Sequence, residues 1–256
     1  MLIKSFTQEG ILAFFESYIR SNIYLYLIFR NLSKLFNIFE NDFNYLILFF
    51  KKKKINIIDI GASDGIGVKF FLKKLNVRKI YCYEPHSEYL KKLHELKKIK
   101  KNIKKIHIFN YGLSKKYKKK KVFYPVLKIF NIKIPILSYT FYSKKNLIKQ
   151  INLDFKNNLM IENSFIYLKK FKLINNKIDF IKIDTNGYEF EIIKAIIPQI
   201  KKDNPVIVLE NNNKCNKIYK ILKKKYNKYY YKNKKLQIHK RENCINIFFI
   251  PKSVII

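Results

Sequence analysis

Asn56-Ile57-Ile58-Asp59-Ile60 runs straight into Gly61-Ala62-Ser63-Asp64-Gly65 and then into the stretch from Ile66 to Leu75. The first five residues are a short run rich in β-branched apolar side chains, which reads as a buried strand. The two glycines mark a turn, and after Gly65 the apolar residues take up helical spacing. Strand, glycine turn and helix follow one another without a break.

The same order returns downstream. Lys79-Ile80-Tyr81-Cys82-Tyr83-Glu84-Pro85 is a second strand that closes on an acid. A helix follows over about 87–98, with Leu90, Leu93 and Leu96 on one side, and then a third strand from Lys105 to Phe109. Ile178-Asp179-Phe180-Ile181-Lys182-Ile183-Asp184 is a fourth strand. It turns at Thr185-Asn186-Gly187 into a helix carrying Phe190, Ile193, Ile196 and Ile197. Pro205-Val206-Ile207-Val208-Leu209-Glu210 is a fifth, followed by a helix over about 215–225. Lys228-Tyr229-Tyr230-Tyr231 and Ile245-Asn246-Ile247-Phe248-Phe249-Ile250 have no long crossover between them, so they should pair antiparallel. Such alternation predicts an α/β fold, a mostly parallel sheet with helices on both faces.

Residues 115–142 break the alternation. Lys118 to Pro125 and Ile134 to Tyr139 read as extended segments around prolines. An insertion over 115–172, at the carboxyl ends of parallel strands, is where a substrate lid would sit, and acceptor specificity is expected there.

Four strands close on an acid at that same edge: Asp59, Glu84, Asp184 and Glu210. Acids gathered at one edge are costly unless they are paired or serve a ligand. The first turn reads Asp59-x-Gly61-x-x-x-Gly65 rather than the G-x-G-x-x-G of a pyrophosphate cradle. Gly61 and Gly65 let backbone pass close beneath a ligand. Asp59 and Asp64 would repel a pyrophosphate and suit a cofactor with a positive end, such as the sulfonium and amino group of S-adenosylmethionine. Glu84, 19 residues beyond Gly65, is placed to accept hydrogen bonds from both ribose hydroxyls. Bonds to a charged acceptor are worth about 1.5–3 kcal/mol each.

On these stretches the chain resembles the FkbM family of S-adenosylmethionine-dependent methyltransferases, over about residues 55–250. The pieces that carry the resemblance are Asp59 to Gly65, Tyr83-Glu84-Pro85, Ile178 to Asp184 running into Gly187-Tyr188-Glu189-Phe190-Glu191, and Pro205 to Glu210. The resemblance implies a Rossmann-like seven-stranded mixed sheet in the order 3-2-1-4-5-7-6, the last strand antiparallel. It implies O-methyl transfer to a hydroxyl of a sugar, a glycan or a secondary metabolite. The cofactor contacts it points to are Asp59, Gly61, Ala62, Ser63, Asp64, Gly65, Glu84 and Pro85. Asn186 stands where the family usually carries Glu, and Ser164-Phe165-Ile166-Tyr167 lacks the family's acid.

An alcohol acceptor has to lose a proton, so a general base within reach would help. Asp184 is the first candidate, with Glu189 beside it, then Glu210 and His86. Asp184, Glu189 and Glu210 could also hold a divalent cation. No His or Cys spacing supports zinc, and metal-free chemistry is preferred.

The chain has 256 residues, a net charge of +36 and only four Arg among 54 basic residues. Lys, Ile and Asn share AT-rich codons, so a solvated Lys surface explains the charge. A reader of nucleic acid would lean on Arg. A methyltransferase acting on RNA through that surface is the alternative function, and a degenerate fold that only binds is another. The partner expected is a small-molecule or glycan acceptor, not nucleic acid. Three cysteines without a close pair suit a reducing cytoplasm.

Residues 1–50 form a separate helical segment, with Lys51-Lys52-Lys53-Lys54 as its boundary and the methyltransferase domain over 51–256. Ile11, Phe14, Phe15, Tyr18 and Leu25 share one face that Asn22 interrupts. Charged residues break every run short of the ~20 apolar residues of a spanning helix. The segment packs as helices on the domain, or touches a membrane surface peripherally.

Overall fold

The computed structural model describes residues 40–154, 159–240 and 242–254, together with 22–25, 27, 28 and 32. Ile11, Phe14, Phe15 and Tyr18, on which the N-terminal helical expectation rests, lie outside them. Asn22 does not break the apolar face by accident. Its Oδ1 accepts hydrogen bonds from the backbone of Tyr24 (3.0 Å) and Leu25 (3.3 Å), the pattern of a helix cap.

The chain divides into two compact units. One holds Val122–Ser164 with the described residues of the N-terminal segment. Its core is Ile23, Leu127, Ile136, Leu147 and Ile151. The other, Phe39–Lys121 with Phe165–Ile256, carries the main sheet.

That second unit opens with α1 (Asn44–Phe50), followed by β1 (Ile55–Ile60), α2 (Ile66–Lys74), β2 (Val77–Tyr83), α3 (Ser87–Lys98), β3 (Ile106–Phe109) and β4 (Gly112–Ser114). β5 (Lys118–Ile129), β6 (Ile132–Pro135), α4 (Lys144–Asp154) and β7 (Met160–Lys170) come next. β8 (Phe180–Ile183), α5 (Glu189–Asp203), β9 (Val206–Glu210), α6 (Cys215–Leu222), β10 (Tyr226–Lys232), β11 (Lys235–Ile238) and β12 (Asn246–Pro251) complete the chain.

The main sheet has eight strands in the order β11-β10-β12-β9-β8-β1-β2-β3, and a second sheet has four, β4-β7-β5-β6. This corrects the seven-strand expectation. From β3 to β10 the expected order stands, with β12 antiparallel to both of its neighbours. The eighth strand, β11, adds to the β10 edge through a two-residue turn in which Asn233 (φ 52°) and Lys234 (φ 58°) are both left-handed. That is the mirror-image turn that matches strand twist, built here without the glycine that usually announces it.

β1, β2 and β3 step one way across the sheet, and β1, β8 and β9 step the other. Right-handed crossovers then place their helices on opposite faces. On one face, Ile57, Phe180, Val208 and Phe248 pack with Phe50 of α1, Phe71 of α2 and Leu93 of α3. Phe71 meets Phe180 edge-on at 5.5 Å. The central strands β1, β8 and β12 are buried along their whole length, which is why they read as continuous apolar runs. Two-residue periodicity then puts Asp59, Glu84, Lys182, Asp184 and Glu210 on the face of Ile57 and Phe180, at or beyond the carboxyl ends of their strands.

Candidate active site

The glycine turn is shaped first by packing. Gly61 N and Ala62 N both donate to Tyr83 O, at 2.9 and 3.3 Å. Gly61 has φ +80°, and a Cβ there would lie 1.9 Å from the carbonyl oxygen of Asp184. Only glycine allows the end of β1 to lie so close to the end of β8. The space a side chain would need there is taken by the backbone of Asp184. Ser63 (φ 51°) and Gly65 (φ 82°) continue the left-handed turn, and Gly65 N donates to Ala62 O at 3.0 Å. Asp64 stands at half-buried depth beside them.

Glu84 is buried at the end of β2, with 3% of its surface exposed. Its Oε2 accepts from Ser63 N at 2.8 Å and its Oε1 from His86 N at 2.9 Å. Burial pushes its carboxyl up to about 7, against those two hydrogen bonds. Pro85 redirects the chain toward α3 and lies beside Gly112. His86 occupies the residue before α3, and burial pushes its ring down to about 4, so it is neutral at physiological pH.

The centre of the cluster is a residue absent from the expected site. Lys182 lies opposite Asp59 in the β1–β8 register. Its Nζ is 3.5 Å from Asp59 Oδ1 and 3.2 Å from Asp184 Oδ2. Burial opposes the Lys182 charge, but Asp184, Asp59 and Glu40 together hold its pKa above the ordinary value. Asp59 is 1% exposed, and its carboxylate balances Lys182 within the sheet. Asp184 keeps 47% of its side-chain surface, so its carboxylate is anchored on one side and open on the other. A lysine inside a strand of Ile and Phe was the available signal, since a buried cation requires a partner.

Glu189 holds the loop after β8. It is fully buried in the first turn of α5. Its Oε1 accepts from Thr185 N (3.3 Å), Thr185 Oγ1 (3.1 Å) and Gly187 N (2.8 Å), and its Oε2 accepts from Asn212 Nδ2 (3.0 Å). Lys214 Nζ donates to Gly187 O. Four donors leave Glu189 poorly placed to take a proton. Asn186 within this loop has φ +48°, a conformation that Asn tolerates better than Glu. This is the physical reason Asn suits that position here.

Two further acids complete the edge. Burial first, then Asp184, Glu189 and Glu40, pushes Glu210 up to about 7, although part of its side chain still meets solvent. Glu40, from the segment before α1, accepts a hydrogen bond from Asn246 Nδ2, which also reaches Asp42 Oδ2 at 3.5 Å. Sequence reasoning missed Glu40, because its partner lies 206 residues away. Among the described residues no three His, Cys, Asp or Glu side chains converge as a metal site. Nor is any helix among them long and apolar enough to cross a membrane.

The sheet is Rossmann-like, with a glycine turn after β1, a buried acid after β2 and an anchored acid after β8. The chain belongs to the FkbM methyltransferase family: residues 59–230 match the methyltransferase FkbM domain. No curated protein sequence matches significantly. Among solved structures it is similar to a methyltransferase FkbM from Methylobacillus flagellatus KT, at 13% identity and TM-score 0.47, over 77% of this chain and 43% of that one. It is also similar to an rRNA methylase from Streptococcus thermophilus (9% identity, 84% and 98% covered, TM-score 0.44). A third is a SAM-dependent O-methyltransferase from Thermotoga maritima (11% identity, 83% and 64% covered, TM-score 0.42).

The residues present fit S-adenosylmethionine at Glu84. Its two oxygens each spend one hydrogen bond on backbone, and a carboxylate oxygen has room for a second donor. Ser63, in the left-handed turn, donates its N–H to Glu84 Oε2 at 2.8 Å and so ties the β1 loop to that carboxylate.

Proposed function

We propose that this protein transfers a methyl group from S-adenosylmethionine to a hydroxyl oxygen of a sugar, a glycan or a secondary metabolite. The observation that carries the reading is the position of Asp184. Its backbone abuts Gly61 of the cofactor turn, and its half-exposed carboxylate is fixed from behind by buried Lys182. The sulfonium of the bound cofactor supplies an activated methyl carbon. Glu84 and the 61–65 turn would hold and orient its adenosyl end. Asp184, whose carboxylate is open on one side, would accept the proton that the acceptor hydroxyl gives up as it takes the methyl group. Placement and alignment supply much of the remaining rate. Glu189 acts on the reaction only by fixing the loop that carries Asn186 and Gly187.

The three cysteines are free thiols, which supports a reducing cytoplasm as the working compartment. The test is methyl transfer from labelled S-adenosylmethionine to a panel of sugar and phenolic acceptors. Asp184→Asn is expected to lower kcat by about 10²–10⁴-fold, with S-adenosylhomocysteine affinity unchanged. Equal activity of Asp184→Asn and wild type would remove Asp184 from the chemistry.

A further inference from the structure

Residues 115–121 hold six lysines around Tyr117, and residues 169–172 hold three more. Neither stretch contains an acid. Both belong to the unit that carries the main sheet. Along β7, Ile166 and Leu168 are buried, so two-residue periodicity turns Phe165, Tyr167 and Lys169 outward. Lys119 Nζ lies over the Phe165 ring at 4.7 Å, and Tyr117 stacks on Tyr167 with 6.3 Å between ring centroids. The two stretches therefore meet in one basic and aromatic strip.

Composition supplies the lysines, but it does not place rings at the surface among them. Tyr117 is 64% exposed, Phe165 56% and Tyr167 46%. They are three of the five aromatic side chains exposed among the described residues, so the strip gathers what a core would ordinarily take. A basic strip attracts either a polyanion or an anionic surface. The ring geometry separates the two. A nucleic-acid base needs an open ring face on which to stack. Here Phe165 is capped by an ammonium, and Tyr117 and Tyr167 lie within 25° of parallel against each other. Nor does either stretch contain Arg, the residue that forks onto phosphate. Lysines beside half-exposed Tyr and Phe suit a lipid headgroup layer, which takes the apolar body of a ring and leaves polar tips in water.

Two contacts tie the strip to the edge of the candidate site. Lys120 Nζ lies over the Tyr188 ring at 4.9 Å, and Tyr188 stands between Gly187 and Glu189. Lys169 Nζ lies over the Tyr111 ring at 4.9 Å, and Tyr111 meets Tyr83, the residue before Glu84, edge-on at 5.8 Å. Glu191, the acid that acts on Lys120, is itself paired with Lys194 at 2.7 Å.

We propose that this strip docks the protein peripherally on an anionic lipid bilayer. The inference goes beyond the methyl-transfer reading and stands without it. The sequence raises membrane contact only for residues 1–50, and the strip puts it on the domain itself.

The full chain, without cofactor, is sedimented at physiological ionic strength with two kinds of vesicle. One is phosphatidylcholine alone, the other phosphatidylcholine with an equal part of phosphatidylglycerol. Binding to the mixed vesicles only is expected. Lys118→Glu, Lys119→Glu and Lys169→Glu combined should weaken it at least about tenfold, since lysines act on the headgroups within a Debye length. Phe165→Ala with Tyr167→Ala should weaken it about threefold or more. Lys51→Glu, Lys52→Glu and Lys54→Glu make the same change of charge before β1, at the opposite ends of the strands from Glu84 and Asp184. That variant should stay within about twofold of wild type. The inference is overturned if the mixed vesicles are not bound, if the two lysine variants lose affinity alike, or if the aromatic variant binds as wild type does. Binding of a uridine oligonucleotide in place of the vesicles would also overturn it and give the strip to single-stranded nucleic acid.

Discussion

Asp59 and Lys182 face each other across the β1–β8 ladder, and their side chains meet 3.5 Å apart with almost no surface left to solvent. The same ammonium reaches forward to Asp184 at 3.2 Å. One buried cation thus ties β1, which leads into the glycine turn, to the half-exposed carboxylate of Asp184.

Removing that cation strands Asp59 in the sheet. Lys182→Met is expected to cost about 3–5 kcal/mol, the range for breaking a buried pair from one side. Asp59→Asn in the same chain should recover part of the loss. Urea unfolding of the single and double variants measures both. A single variant as stable as wild type would mean the pair contributes little.

Glu84 gives a pH dependence with a definite sign. Its carboxyl is raised from 4.5 to about 7 in the folded protein. The folded state therefore holds the proton more tightly than the unfolded state. That contribution to stability is complete below pH 4.5 and is lost as pH rises through about 7. Glu210 titrates in the same window, so the diagnostic comparison is with Glu84→Gln. Unfolding free energy followed across this range should fall less steeply in Glu84→Gln than in wild type. Parallel curves would show that Glu84 ionises normally.

Two glycines with positive φ separate strain from contact. Gly187 has φ +96°, and a Cβ there would meet no atom within 4 Å, so Gly187→Ala should cost only the left-handed penalty of about 1–2 kcal/mol. Gly61→Ala adds an overlap with Asp184 O that the backbone must relieve by moving. It is expected to destabilise more and to lower methyl transfer as well. Thermal unfolding with an activity assay ranks the two, and an equal cost would deny the close approach.

Glu189→Gln should act through the loop. Gln keeps one acceptor oxygen but turns an NH₂ toward donors on the other side, so at least one of four hydrogen bonds is lost. A cost of about 1–3 kcal/mol is expected for the donors left unsatisfied. If Glu189 took the proton instead, Glu189→Gln would abolish turnover with stability intact, and unfolding measured beside kcat distinguishes the two.

Much of the main sheet is legible locally. β1, β8 and β9 are short apolar runs rich in β-branched residues, β2 adds aromatic ones, and each stands within a residue or two of its expected bounds. Glu84 and Asp184 are legible for the same reason, since each ends its strand. β11 is not, because Lys235-Leu236-Gln237-Ile238 is a half-polar edge segment behind a turn without glycine. The roles of Asp59 and Glu40 depend on register and on a partner far along the chain, and no local pattern encodes either. Gly61 illustrates the limit of motif reading. Its glycine is visible in sequence, while the group that demands it comes from β8.

The central claim is that the β1 turn and Glu84 bind the adenosyl cofactor. Titration calorimetry with S-adenosylhomocysteine on wild type and Glu84→Ala tests it most directly. The account predicts micromolar binding by wild type and a loss of at least tenfold in Glu84→Ala, about 1.4 kcal/mol. A folded wild-type protein that takes up no S-adenosylhomocysteine would contradict it.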